Sequence, residues 1–206
     1  MCGRYVVKNP VTKTSSLVKS AIQVEDTENY NAHPYQKLPV IKKYKNGNTL
    51  ENLQWGLVPS WAKNKDFKAL INARLETIDE KVSFKKLIKE TRCVAVADGF
   101  YEWKRDGQEK IPHYFFREDC KPIFFAGIFQ RDQFCIITEE ADQNIKEIHL
   151  RQPVILNQTD INRYLNLELQ GSSFLNERIR TKLNFYVVSK DVNKPANNTF
   201  SLIQQI

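Results

Sequence analysis

The sequence predicts an α+β fold: a mostly antiparallel, barrel-like β core with a few peripheral helices. Three observations predict it. Short runs of β-branched and aromatic residues recur along the chain, as half-buried and buried strands require. Helical patterns are few and fall irregularly between those runs, unlike the strict alternation that builds a doubly wound sheet. At 206 residues, with 41% hydrophobic and 27% charged residues, the chain suits one folded domain, 1–206, able to bury a real core.

Taken in order, residues 14–22 open with a helical pattern, and Pro39-Val40-Ile41 reads as a strand. Thr77-Ile78-Asp79-Glu80 has the form of a capping box, in which hydroxyl and carboxylate satisfy first-turn amides reciprocally. It predicts a helix with Val82, Phe84, Leu87 and Ile88 on one side and Lys81, Lys85, Lys86 and Lys89 on the other. Cys93 to Ala97 is an apolar strand running on into the aromatic segment Gly99-Phe100-Tyr101-Glu102-Trp103. Asp106-Gly107 is a turn signal. Strands follow at 114–116, 123–129 and 134–138, with Gln130-Arg131-Asp132-Gln133 as a hairpin loop between the last two. Helical patterns at 144–150, 160–167 and 174–182 precede a last strand at 185–188.

The formal net charge is +7, from 31 basic and 24 acidic residues. Much of the excess lies in 42–45, 63–68 and 81–92. It suits a polyanion partner, and equally a lysine-rich solvated surface. No apolar run approaches the roughly 18 residues of a membrane span, and the N-terminus lacks the apolar stretch of a secretion signal. The four cysteines, Cys2, Cys93, Cys120 and Cys135, show neither C-x-x-C pairing nor metal-ligand spacing. Cys93 and Cys135 sit in apolar runs and read as buried reduced thiols. A cytoplasmic setting, a monomer, and no metal or organic cofactor are the resulting expectations.

Cys2 directly follows Met1. A small second residue predicts that Met1 is trimmed, leaving an α-amine and a thiol on one residue. Such an aminothiol condenses with an aldehyde: the amine gives an imine, and the thiol closes a thiazolidine. An α-amine with a pKa near ~7.8 is roughly 10% unprotonated at pH 7, several hundred-fold more than a lysine near ~10.4. The plainer reading is a small residue tolerated after Met1.

Other residues carry candidate chemistry. Asn72 and Arg74 alternate with Ala73 and Leu75, so in an extended segment both polar side chains share a face. Asparagine can orient an amine, and an arginine fork suits phosphate. Glu102, packed between Tyr101 and Trp103, is expected to be desolvated. That raises a carboxyl pKa toward the range of proton exchange at neutral pH. His149 precedes Arg151-Gln152-Pro153, where the proline sets an extended exit, and histidine moves protons near neutral pH. Arg4 is spaced to share the Cys2 face if the terminus is extended. Trp61 and Trp103 are candidates for base stacking or for ordinary packing, and Trp55 for packing. His33 and His113 have no such support.

Five ordered segments carry a wider resemblance: Met1-Cys2-Gly3-Arg4-Tyr5, Trp55-Gly56-Leu57-Val58-Pro59-Ser60-Trp61, Asn72-Ala73-Arg74-Leu75-Glu76-Thr77, Gly99-Phe100-Tyr101-Glu102-Trp103 and His149-Leu150-Arg151-Gln152-Pro153-Val154-Ile155-Leu156. Together they resemble the SOS response-associated peptidase (SRAP) family, over 2–156 and more loosely to 192. Gln152 stands where that family usually has methionine, and Ala32-His33-Pro34-Tyr35-Gln36 departs from its Ala-Pro-Thr pattern. The resemblance implies a protein that recognises abasic sites in single-stranded DNA and crosslinks to the ring-opened aldehyde, shielding the lesion. The expected roles are Asn72 orienting the Cys2 amine, Glu102 shuttling protons and His149 handling protons at the deoxyribose. Arg4 and Arg74 would hold phosphates, with Trp61 and Trp103 against bases. Two rivals remain. In one, Cys2, His149 and Glu102 form a thiol peptidase set that removes Met1 itself. In the other, the chain is a non-covalent single-strand binder.

Overall fold

The apolar run at 93–97 becomes a strand buried at all six of its positions, Arg92–Ala97. An unbroken apolar run requires such burial on both faces. In the computed structural model, residues 2–45, 47–62, 64 and 66–206 are described. Met1, on which the proposed trimming bears, lies outside them, as do Lys63 and Lys65 of the basic stretch. The described strands are β1 (Tyr5–Lys8), β2 (Glu28–Ala32), β3 (Lys37–Tyr44), β4 (Gly47–Trp55), β5 (Asn72–Arg74), β6 (Arg92–Ala97), β7 (Gly99–Asp106), β8 (Glu109–Arg117), β9 (Ile123–Gln130), β10 (Gln133–Glu140), β11 (Arg151–Pro153), β12 (Ile155–Leu156) and β13 (Leu183–Val187). The helices are short: α1 (Pro10–Thr14), α2 (Leu87–Glu90), α3 (Gln143–Lys146), α4 (Ile161–Leu165) and α5 (Ser173–Glu177).

Two sheets form. One has the order β13-β8-β7-β1-β2. In the other, β10 pairs with β4 and also with β9, so β3, β4, β10, β9 and β6 close a ring. The pairings are antiparallel except for β10 with β4 and with β5. The expected barrel-like, mostly antiparallel α+β fold is therefore what the chain adopts.

Side chains alternate across β6, and the alternation sorts the core. Val94 and Val96 join Ile41, Leu50 and Ile137 with Leu87, Ile88, Tyr164 and Phe174 from the helical side. Cys93, Ala95 and Ala97 meet Tyr5, Phe100 and Phe115 of the other sheet. Trp55, Phe100, Phe115 and Phe125 are fully buried, each worth about 1.5–3 kcal/mol in apolar transfer. Cys2 belongs to this second cluster, so its side chain is sealed into the seam between the sheets. Among the described residues no helix is long and apolar enough to cross a membrane.

The expected helix from Thr77 does not form as one piece. The Thr77 side chain makes no cap; residues 75–77 are a 3-10 turn, and α-helix is confined to Leu87–Glu90. Lys81, Lys85 and Lys89 stand four apart and would repel along one helical face, while Leu75 and Ile78 are drawn into the core. Asp79 accepts from Ser172 N at 3.2 Å instead of serving a first turn. The helix expected at 14–22 lies earlier, at α1, where Pro10 presets the first turn. The apolar run and aromatic segment from 93 to 103 are two strands, β6 and β7, in different sheets. The two expected turns are present: Gly107 takes φ 57° between β7 and β8, and Arg131 takes φ 57° between β9 and β10.

Candidate active site at the sheet seam

Cys2 is completely buried, and its Sγ has one hydrogen-bond partner among the described residues, the Arg4 carbonyl at 3.9 Å. Burial pushes the thiol well above its usual range, and the nearby Glu102 carboxylate acts in the same direction. The thiol is therefore held protonated.

Asn72 meets Cys2 through the first residue of β5. Its Nδ2 donates to the Cys2 carbonyl at 2.9 Å. Its Oδ1 is buried and accepts no hydrogen bond from any described residue. An amide that grips the backbone of residue 2 and keeps an acceptor in reserve is suited to orient an N–H on that residue. Ala73 between them is buried while Arg74 is exposed, so the predicted shared face of Asn72 and Arg74 is real. Arg74 forms no ion pair with any described residue, which leaves its fork open to a ligand.

Glu102 projects from β7 on the same face as Phe100, toward the Cys2 cluster, and is 3% exposed. Burial raises its pKa, as the sequence anticipates. His149 follows α3, with Nδ1 3.9 Å from Glu102 Oε1. The same Nδ1 lies 3.0 Å from both the Arg151 N–H and the Arg151 carbonyl. An unprotonated Nδ1 accepts from the amide, and a protonated one donates to the carbonyl. The ring therefore has a partner at Nδ1 whether it donates or accepts there.

The sequence reading missed the frame around these residues. Arg151 donates to both carboxylate oxygens of Glu76, at 2.7 and 2.9 Å, and to the Thr138 carbonyl at 2.6 Å. It thus clamps β11 across β10 to the end of β5. Burial works to raise the Glu76 pKa, but Arg151 together with the Glu76 and Glu140 backbone amides holds the carboxyl low. Gln152 accepts from Asp142 N at 2.9 Å and donates to Glu139 and Asp142 at 3.3 Å. A methionine could make none of these bonds. His113, assigned no role, pairs directly with Glu102 in the β7–β8 ladder. It is buried, which lowers its pKa and favours the neutral ring. Glu76, Arg151 and Gln152 all stand in the ordered segments of the sequence, but nothing in the spacing told that they meet.

Two expected neighbours lie elsewhere. Arg4 does not share the Cys2 face. Residues 2–4 are not in regular strand, and Arg4 Nη1 donates to Asn31 Oδ1 at 2.7 Å and Val192 O at 2.8 Å. Trp103 lies on the opposite face of β7 from Glu102, with Tyr101 and Val192, and its Nε1 donates to Asn193 Oδ1 at 2.8 Å. Trp61 is 52% exposed, edge-on to Phe67 at 5.6 Å. Trp55 is core, donating to Ile71 O at 2.9 Å. Among the described residues no group of three or more His, Cys, Asp or Glu is placed to hold a metal ion.

The profile of the family described as SOS response associated peptidase (SRAP) matches residues 1–195. The abasic site processing protein YoqW of Bacillus subtilis is 32% identical over 99% of both chains. The abasic site processing protein YedK of Escherichia coli is 29% identical over the full length of both. A solved structure of a protein from Bacteroides thetaiotaomicron superimposes over both whole chains with a TM-score of 0.83 at 24% identity.

Proposed function

Because the chain belongs to the SOS response associated peptidase family, and its relatives are named abasic site processing proteins, we propose that it recognises abasic sites in single-stranded DNA and crosslinks to them through Cys2. The observation that carries this reading is Asn72. It grips the Cys2 carbonyl through its Nδ2 and keeps its buried Oδ1 free to accept.

In the full chain that nitrogen is an amide to Met1. Hydrolysis of the Met1–Cys2 bond consumes one water, releases methionine and frees the amine. Asn72 Oδ1 then accepts from the amine and aims its lone pair. The amine adds to the C1′ aldehyde of the ring-opened abasic sugar; Glu102 donates the proton with which water departs and takes one back from the nitrogen, leaving an imine. The Cys2 thiol adds to the imine carbon, its proton passing to nitrogen, and a thiazolidine closes. The balance from aldehyde and aminothiol is one thiazolidine and one water. A thiol held protonated favours this amine-first order over attack by a thiolate. His149, 3.9 Å from Glu102, exchanges protons at the deoxyribose. Arg74 holds a flanking phosphate and Trp61 offers a ring to a base, while Arg4 and Trp103 brace the strands that carry the site.

Incubation with an abasic oligonucleotide tests the reading. A heat-stable adduct supports it; peptide turnover without adduct supports a thiol hydrolase; neither supports a simple single-strand binder.

A further inference from the structure

Residues 33–36 form the turn from β2 to β3, and hydrogen bonds fix its backbone. Tyr35 N donates to Trp55 O at 2.8 Å, and Trp55 N to Gln36 O at 2.9 Å. The Gln36 Oε1 accepts from His33 N at 3.2 Å and from Asn29 Nδ2 at 3.1 Å. The turn holds Tyr35 at φ 74°, a region that favours glycine and is uncommon for an aromatic residue. Yet the residue is a tyrosine, and it is 58% exposed. Neither backbone comfort nor core packing accounts for that ring.

Its position does suggest a use. The ring rests over Gly56, which takes φ +130°; a Cβ there would lie 3.9 Å from Tyr35 Cδ1, 3.9 Å from Ile71 Cγ2 and 3.1 Å from Ala69 Cβ. Ile71 directly precedes Asn72, the residue that holds Cys2. An exposed aromatic face therefore stands beside the root of the strand bearing Asn72 and Arg74. A flat exposed ring at the root of the strand that carries Arg74 matches a nucleobase, which stacks on an aromatic face.

We propose that Tyr35 is the stacking platform for a nucleobase flanking the reacting nucleotide, an inference that rests on the single-stranded DNA reading above. The fixed turn retains the unfavourable backbone and presents the ring already ordered, so little freedom is lost on binding. Stacking accepts any base, so the platform adds affinity without sequence choice.

The test uses the full chain and an oligonucleotide carrying a tetrahydrofuran abasic analogue, with 2-aminopurine on one side and then on the other. The wild type should quench the fluorescence on one side. Y35A should lose that quench and weaken binding by about 5- to 150-fold, the range of one lost stack. Y35F should restore both. Y35G should lose as much affinity as Y35A while melting about 2–4 °C higher than Y35A, because glycine relieves the positive φ. Wild-type quench and affinity in Y35A would overturn the proposal, as would affinity that follows melting temperature across the variants. A wild type that binds no abasic oligonucleotide would instead overturn the functional reading itself.

Discussion

Glu102→Gln separates binding from chemistry in a single side chain. The carboxyl is 3% exposed and faces the Cys2 cluster. Glutamine keeps its shape and hydrogen-bonding capacity and removes proton exchange. Loss of a general acid–base is worth about 10²–10⁴ in rate, or about 2.7–5.5 kcal/mol of barrier. Crosslinking should slow by that factor while affinity for intact single-stranded DNA is unchanged. In the wild type the rate should fall at low pH as the Cys2 amine protonates, and at high pH as Glu102 ionises; the variant should lack the high-pH limb. Stability moves the other way. Burial raises the Glu102 pKa above its unfolded value of about 4.3. The stability due to the neutral carboxyl is thus fully present below about pH 4.3 and is lost as pH rises through the folded value. Glu102→Gln should match the wild type in acid and melt higher at neutral and alkaline pH. Each pH unit by which burial has moved the carboxyl contributes about 1.4 kcal/mol. Gel-based crosslinking rates, fluorescence anisotropy and thermal melts across pH check each part. Crosslinking at the wild-type rate would refute the assignment and pass the proton work to His149 or water.

Asn72→Ala removes the bond to the Cys2 carbonyl and the buried Oδ1 acceptor. It should cost about 1–3 kcal/mol of stability in thermal melts, and misplacement of the amine should slow crosslinking by about 100-fold in single-turnover assays. Arg74→Ala should weaken binding to abasic and intact single strands alike and lower the log–log salt slope by about 0.7, measured by anisotropy at several salt concentrations. Cys2→Ala should give only an imine that borohydride traps, and Cys2→Ser a labile oxazolidine, so neither should yield a heat-stable band on a denaturing gel.

Legibility followed the physics of each segment. β6, β9 and β10 were readable because burial on both faces demands an apolar run. β2 and β4 were not, since Asn29, Asn31 and Asn48 interrupt them and find partners only in the folded chain. The capping box at Thr77 misled because tertiary contacts at Leu75 and Ile78 and the lysine repulsion outweigh a local cap. In the candidate site, the strand placement of Asn72 and Arg74 and the burial of Glu102 were legible through alternation and aromatic context. The Arg151–Glu76 clamp and the pairing of His113 with Glu102 were not, because each joins strands far apart in sequence. Arg4 was placed on the Cys2 face by assuming an extended terminus, but residues 2–4 leave strand geometry and the guanidinium turns to Asn31 and Val192.

The intact mass of the purified chain, before and after incubation with an abasic oligonucleotide, tests the central claim most directly. The account predicts a chain lacking Met1 that then gains the mass of the whole oligonucleotide less one water. A chain that retains Met1, or one that loses it and gains no covalent mass while still binding the strand, would contradict it.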